Sequence, residues 1–137
     1  MLEDSIKKEQ IQQELDELSS KVYFLGGSIK IRKYSESQLD QIVELLNKYP
    51  SLLVEVQGYY NYDPNQSAPQ TIDSRRAEVV KQLLIQKGLE PSRIDARGMG
   101  QSTVDDYLDL YTFYDAETNT TSKYNHNMRV EVKIIKY

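Results

Sequence analysis

The chain has 137 residues, with 17 Lys or Arg against 21 Asp or Glu, for a formal net charge of -4. This length predicts a single domain, and a hydrophobic fraction of 39% is enough to form a core, which excludes disordered and collagen-like chains. The acidic balance argues against a nucleic-acid-binding protein, and the absence of Cys excludes thiol catalysis, disulfides and Cys-based zinc sites.

The N-terminal segment, residues 1–20, is polar and carries Ile11, Leu15 and Leu18 at helical spacing. This pattern predicts a short amphipathic helix or linker that precedes a domain formed by residues 21–137. The pattern leaves three roles open for the segment, which are a linker, a dimerisation helix and a cover for the edge of a sheet.

A strand and a helix are predicted next. Lys21 to Ile31 is rich in strand-forming residues and predicts the first strand. Ser35 and Gln38 have the spacing of a capping box, which predicts a helix that begins at Ser35. The helix is expected to end at Tyr49, since the residue before a proline avoids helical geometry.

The middle of the chain predicts a strand and a second helix. Residues 52–57 alternate apolar and polar side chains, as in a half-buried strand, and Gly58 is expected to end it. The second helix is expected from Asp73, as its N-cap, to Lys87, with Gly88 as its stop.

The last third of the chain predicts two further strands separated by a long excursion. Residues 93–97 form a short strand, and Gly98 and Gly100 mark a turn after it. Residues 101–122 carry five acidic residues and no Lys or Arg, which favours a solvated acidic loop over a weak cation site. Residues 128–135 alternate again and predict the final strand.

The predicted order is β-α-β-α-β, a long excursion and a last β-strand. We therefore expect an α+β fold in two layers, with about four strands in one sheet, two helices on one face and the short N-terminal helix in addition. No apolar run approaches the ~20 residues of a membrane-spanning helix. The single histidine, His126, excludes a multi-histidine metal site, and we expect no metal, no cofactor and no catalytic activity.

Four sequence motifs in this order resemble the OmpA-like C-terminal domain family, which binds peptidoglycan. The family pattern reads GHTD, LSxRRAxxV, RxxxxGxG and NRRVE, and the resemblance covers roughly residues 21–135. The corresponding segments are Gly58-Tyr59-Tyr60-Asn61, Asp73-Ser74-Arg75-Arg76-Ala77-Glu78-Val79-Val80, Arg93 with Gly98-Met99-Gly100, and Asn127-Met128-Arg129-Val130-Glu131.

The resemblance implies a non-catalytic domain in the bacterial periplasm that anchors its protein to the cell wall, associated with the outer membrane. In the family, an Arg holds the carboxylate of diaminopimelate in the stem peptide, and an Asp holds its ammonium group. The Arg position is Arg76, and the Asp position is Asn61, which accepts a hydrogen bond without charge. A guanidinium beside the N-terminus of a helix is a suitable carboxylate receptor, whereas an ion pair of Arg76 with Asp63 is the alternative.

The remaining site candidates surround these two positions. They are Asp63, which restores the missing charge if the loop folds inward, the tyrosines Tyr59, Tyr60 and Tyr62, and Asp73 and Arg129 in the matched motifs. Because the family Asp is absent, the alternative function is a protein-binding module in a cell-envelope complex. Its contact surface is then the tyrosine loop together with the acidic loop 105–117.

Overall fold

The computed structural model describes residues 2–24, 29–60, 72–101, 111–115, 120–124 and 129–137. Three α-helices are present in these ranges: α1 (Leu2–Ser19), α2 (Glu36–Asn47) and α3 (Ile72–Gln86). Five strands are present: β1 (Leu53–Tyr60), β2 (Ile94–Gln101), β3 (Tyr111–Asp115), β4 (Thr120–Tyr124) and β5 (Val130–Lys136).

Three of the strands form one mixed sheet in the order β2-β1-β5. The central strand β1 runs parallel to β2 and antiparallel to β5, so that Val56 lies opposite both Ala96 and Val132. The parallel pair is connected through α3. The other two strands pair with each other in an antiparallel hairpin. The α+β class is confirmed, with three strands in the described part of the sheet where about four were expected.

The alternation predicted for β1 and β5 places their apolar side chains in one core. Val54, Val56, Val130 and Val132 are all at most 1% exposed. The helices bury their own apolar stripes against the same core. The alternate side chains of β1, β2 and β5 lie on the opposite side of the sheet and include Glu55, Gln57, Asp95, Arg97, Glu131 and Lys133. Among the described residues, the sheet therefore has one face covered by helices and one face, here called the open face, that no helix covers.

Arg93 connects the start of β2 to the end of α2. Its guanidinium donates to the backbone carbonyls of Leu46 (2.8 Å), Tyr49 (2.9 Å) and Leu52 (3.1 Å). The Leu46 and Tyr49 carbonyls also accept from backbone amides of the turn that follows α2, so the arginine adds side-chain hydrogen bonds to this turn and links it to β2. Burial also lowers the pKa of the Arg93 guanidinium below its ordinary value. Arg93 has a structural role in this chain.

The strand predicted over Lys21 to Ile31 is wrong for the residues that the structure describes there. Only an isolated antiparallel bridge joins Phe24 and Ile31. The Ser35 hydroxyl explains the difference, since it accepts from the Tyr23 amide (2.9 Å) and donates to the Lys21 carbonyl (3.3 Å). The segment is thus bound to the turn before α2 rather than to the sheet. The capping box is also wrong, because this hydroxyl makes no cap bond to α2.

Helix α1 is present as predicted and buries Ile11 and Leu15 in the core. The Gln12 side chain lies along the outer edge of β5, where its amide nitrogen donates to the Val132 carbonyl (2.9 Å) and its oxygen accepts from the Ile134 amide (2.8 Å). One side-chain amide thus occupies two backbone groups that another strand would use. Of the three roles left open, the structure supports a cover for the sheet edge.

Two predicted ends of strands are wrong, and so is part of the predicted acidic loop. Gly58 lies within β1, and Gly98 and Gly100 lie within β2. β3 and β4 lie in the segment predicted as a solvated loop. Both strands are rich in Tyr, Phe and Thr, which favour extended structure. The loop was predicted from the acidic residues of the segment, without weighing this composition. Residues 102–110 and 116–119, with most of the acidic residues, lie outside the described part.

Candidate functional site

The ends of β1 and β2 approach the first turn of α3 because glycines leave room there. A Cβ atom added at Gly58 would overlap the backbone carbonyl oxygen of Asp73, and one added at Gly98 would lie 2.7 Å from its Oδ2 atom. Any side chain at these positions would push the helix away from the sheet. The two glycines therefore determine the depth at which the start of α3 sits.

Asp73 joins the start of α3 to β2. Its Oδ2 accepts a hydrogen bond of 2.9 Å from the backbone amide of Gly100, and the residue is 6% exposed. The N-cap predicted at Asp73 is wrong, because the helix already begins at Ile72. Its carboxylate is bonded to the neighbouring strand instead. Arg76 is consequently the fifth residue of the helix rather than the third.

Arg76 lies in the covered layer and is 3% exposed. The central carbon of its guanidinium is 4.7 Å from the centre of the Phe24 ring, which is a cation–π contact. Phe24 is itself buried, and its carbonyl accepts a 3.1 Å hydrogen bond from Nε of the buried Arg32. One face of the Arg76 guanidinium is thus covered by an aromatic ring.

Tyr59 and Arg129 meet on the open face of the sheet. The Arg129 guanidinium carbon lies 4.3 Å from the centre of the Tyr59 ring, and its Nε donates to Glu131 at 3.3 Å. The Tyr59 hydroxyl donates to the side-chain oxygen of Gln57 at 3.3 Å. Partial burial, followed by the charge of Glu131, raises the pKa of the Tyr59 hydroxyl above its ordinary value. This pair is part of a polar network.

The predicted site residues therefore divide into two described groups. Asp73 and Arg76 share the first turns of α3, whereas Tyr59 and Arg129 contact each other on the opposite face of the sheet. Tyr60 is the last residue of β1. Asn61, Tyr62 and Asp63 lie outside the described residues. The structure brings together residues within each group and places the sheet between the groups.

Sequence reasoning missed Phe24 and Arg32. Neither residue is part of a matched motif, and each reads as an ordinary member of a predicted strand or of the turn after it. What distinguishes Arg32 is its burial, and burial is not visible in a sequence. The contact between Arg76 and Phe24 joins residues far apart in the chain, so it required the tertiary structure.

The covered group can recognise a planar anion. A guanidinium offers several N–H donors in one plane, which match the two oxygens of a carboxylate.

Among the described residues, no group of three or more His, Asp or Glu side chains is placed to hold a metal ion. Within the same residues, none of the helices has the length and apolar character needed to span a membrane.

Comparisons with known proteins agree with this architecture. The OmpA family model matches residues 23–109. Outer membrane porin F of Pseudomonas fluorescens is 34% identical over 86 residues, which are 63% of this chain and 26% of the porin. The chain thus matches about a quarter of the length of that curated relative.

Two solved structures show the same fold at low identity. The periplasmic domain of Helicobacter pylori MotB has a TM-score of 0.62 and 19% identity, covering 81% of this chain and 68% of that one. The peptidoglycan-associated lipoprotein of Burkholderia pseudomallei has a TM-score of 0.59 and 18% identity, covering 82% and 87%. The family model spans Phe24, Asp73 and Arg76 and more than half of the chain, and the chain therefore belongs to the OmpA family.

Proposed function

We propose that this domain binds peptidoglycan without catalysis and that Arg76 receives the carboxylate of diaminopimelate in the stem peptide. The observation that carries the proposal is the Arg76 guanidinium, which is 3% exposed and lies 4.7 Å from the Phe24 ring. Charge-assisted hydrogen bonds are stronger where water is excluded. Membership of the OmpA family and the fold of the peptidoglycan-associated lipoprotein support the proposal.

The ammonium group of diaminopimelate is assigned to Asn61, on the basis of the family pattern, or to Asp63, which lies two residues further along the chain and carries the missing charge. A hydrogen bond from a charged donor to a carboxylate contributes about 1.5–3 kcal/mol, against about 1 kcal/mol for a neutral pair. The difference of about 0.5–2 kcal/mol corresponds to a roughly 2- to 30-fold lower affinity with Asn61 than with Asp, since about 1.4 kcal/mol is a tenfold change. We therefore expect this chain to bind the stem peptide more weakly than a chain with a carboxylate at position 61.

The setting of this function is the cell envelope. The matched relatives include an outer membrane porin and a periplasmic domain of MotB. We infer a periplasmic domain associated with the outer membrane or the cell wall, which acts as an anchor for the protein that carries it. A binding module of this kind needs neither a cofactor nor a metal.

An NMR titration of the ¹⁵N-labelled chain with a diaminopimelate-containing muropeptide tests the proposal. We expect shifts at the start of α3 and at Asn61 to Asp63, and no shifts in Arg76→Ala. Arg76→Lys keeps the charge but loses the planar fork, so it is expected to bind at least tenfold more weakly. Arg75→Ala is the matched control, because Arg75 is the exposed neighbour on the same helix.

The titration has two outcomes that contradict the proposal. Shifts that persist in Arg76→Ala would place the carboxylate elsewhere, and the absence of shifts at millimolar ligand would exclude a stem-peptide site. Asn61→Asp tests the ammonium assignment separately. We expect this variant to bind about tenfold more tightly, and unchanged affinity would assign the ammonium group to another residue.

A second candidate function is a protein-binding module in an envelope complex. Tyr59 and Arg129 favour it, because their stacked side chains lie on the open face of the sheet, away from Arg76. A photo-crosslinking amino acid at position 59 tests this candidate in isolated envelopes. A single crosslinked protein, lost in Arg129→Ala, would support it, whereas the absence of a crosslink would count against it.

A further inference from the structure

We infer that Phe24 is a positioning residue for Arg76 and that Arg32 holds Phe24 in place for this purpose. The inference rests on the proposed function, in which Arg76 receives a carboxylate. Phe24 and Arg32 would touch no ligand atom. They would act by orienting the guanidinium before the ligand arrives.

The contact between Phe24 and Arg76 restricts the guanidinium to one plane. The ring centre lies 4.7 Å from the guanidinium carbon, and both side chains are at most 3% exposed. A ring on one face of the guanidinium directs a carboxylate toward the edge, where the N–H donors lie. It also removes water from that face, which strengthens each remaining polar interaction. Orientation fixed in advance lowers the entropy lost on binding.

The position of Phe24 is determined by the turn that precedes α2. Nε of Arg32 donates to the Phe24 carbonyl at 3.1 Å, and the Arg32 amide donates to the Tyr23 carbonyl at 2.8 Å. A bridge to Ile31 adds a third connection. Arg32 is 1% exposed, so its Nε lies in the protein interior together with the carbonyl that it binds. The segment is thus fixed at several points within a few residues of the ring.

This arrangement separates a positioning role from simple core filling. An aliphatic side chain of similar size would fill the space that Phe24 occupies, but it has no ring quadrupole for the cation. If the ring only fills the core, its replacement changes stability and leaves ligand affinity unchanged in the folded protein. If it positions Arg76, the replacement weakens binding and changes the magnetic environment of the guanidinium.

Phe24→Leu in the full chain tests the inference by two measurements. We expect muropeptide binding to weaken about tenfold, because a guanidinium that is not oriented in advance loses more conformational entropy on binding. We also expect the Arg76 Nε–H signal to move downfield, because the shielding by the ring is lost. Phe24→Tyr keeps the ring and is expected to restore the wild-type signal position and affinity.

Two further variants make the test specific. Tyr49→Leu is the matched control, because it removes a ring that lies 5.4 Å from the Lys7 nitrogen, and it is expected to leave binding unchanged. Arg32→Lys keeps Phe24 and a positive charge but removes the Nε donor. Arg32→Lys decides the question if Phe24→Leu does not fold. We expect its affinity for the muropeptide to fall a few fold and its Arg76 Nε–H signal to shift.

The outcomes distinguish this inference from the proposed function. Binding lost in Arg76→Ala but retained within twofold in folded Phe24→Leu, with the Arg76 signal unmoved, would overturn the inference alone. An unchanged Arg32→Lys variant would do the same where Phe24→Leu is unfolded. The absence of wild-type binding would overturn both proposals.

Discussion

The two faces of the sheet use arginine in different ways. On the covered face, Arg76 stacks on Phe24 with both side chains buried, and glycines in β1 and β2 leave no space between strand and helix. On the open face, Arg129 stacks on Tyr59 at a similar distance but lies within a half-exposed network of Gln and Glu side chains. Similar contacts therefore occur in two different dielectric surroundings.

This difference has energetic consequences. Ion pairs and hydrogen bonds that exchange with water contribute about 1 kcal/mol or less, whereas buried groups lose much more when a partner is removed. We therefore expect substitutions on the covered face to change the stability and the site together. Substitutions on the open face should change local electrostatics with little effect on the fold.

The largest expected effect is that of Gly58→Ala on the covered face. The added Cβ would overlap the carbonyl oxygen of Asp73, so α3 has to move away from β1. We expect the free energy of unfolding to fall by about 3 kcal/mol or more, as measured by urea denaturation. Gly88→Ala is the control, since nothing lies within 4 Å and only its φ of 115° opposes the change. It should cost about 1 kcal/mol, and equal losses would contradict the account.

A smaller effect is expected when one arginine is removed from each side. Arg93→Ala deletes the donor to three backbone carbonyls around the end of α2. We expect a loss of about 2 kcal/mol in the free energy of unfolding. Arg97→Ala removes an exposed arginine from the open side of β2 and should change stability by about 0.5 kcal/mol or less. Urea denaturation of both variants measures this difference. Similar losses in the free energy of unfolding would contradict the distinction between the faces.

The smallest expected effect concerns the pKa of Tyr59. Since this pKa is raised above the ordinary 10.0 in the folded protein, the stability contribution is fully present below pH 10 and is lost as the pH rises through the folded pKa. Glu131→Gln should lower the pKa of Tyr59 toward the ordinary value, because a neighbouring negative charge is removed. NMR titration of the tyrosine ring carbons measures this. Glu55→Gln is the control, and an equal shift in that variant would contradict the assignment to Glu131.

Much of the fold could be predicted because its signals are local. The alternation in β1 and the apolar stripe of α2 follow from the spacing of side chains along one element. Helices α2 and α3 end close to the residues predicted for their ends. The strand predicted over Lys21 to Ile31 failed for a nonlocal reason. The composition of this segment favours a strand, but the Ser35 hydroxyl binds its backbone at Tyr23. In addition, Gln12 binds the backbone at the outer edge of β5, where a further strand would pair.

The candidate site divides in the same way. Arg76 and Asp73 were predicted from one motif, and the structure places both on the first turns of α3. Tyr59 and Arg129 were predicted for the same ligand, yet strand alternation turns Tyr59 away from Gly58 and therefore away from α3. Phe24 could not be predicted, since no pattern in a sequence records which distant side chain covers a guanidinium.

The sequence by itself determined the class of fold and the order of α2, β1, α3, β2 and β5, because these depend on periodicity and motif order. Only the tertiary structure decided which partners the backbone and the charged groups obtain. Gln12 occupies the edge of β5, Asp73 bonds to β2 instead of capping its helix, and Phe24 covers Arg76. Each of these contacts joins residues distant in the chain, and the two hydrogen bonds give partners to polar groups that are costly to leave unpaired away from water.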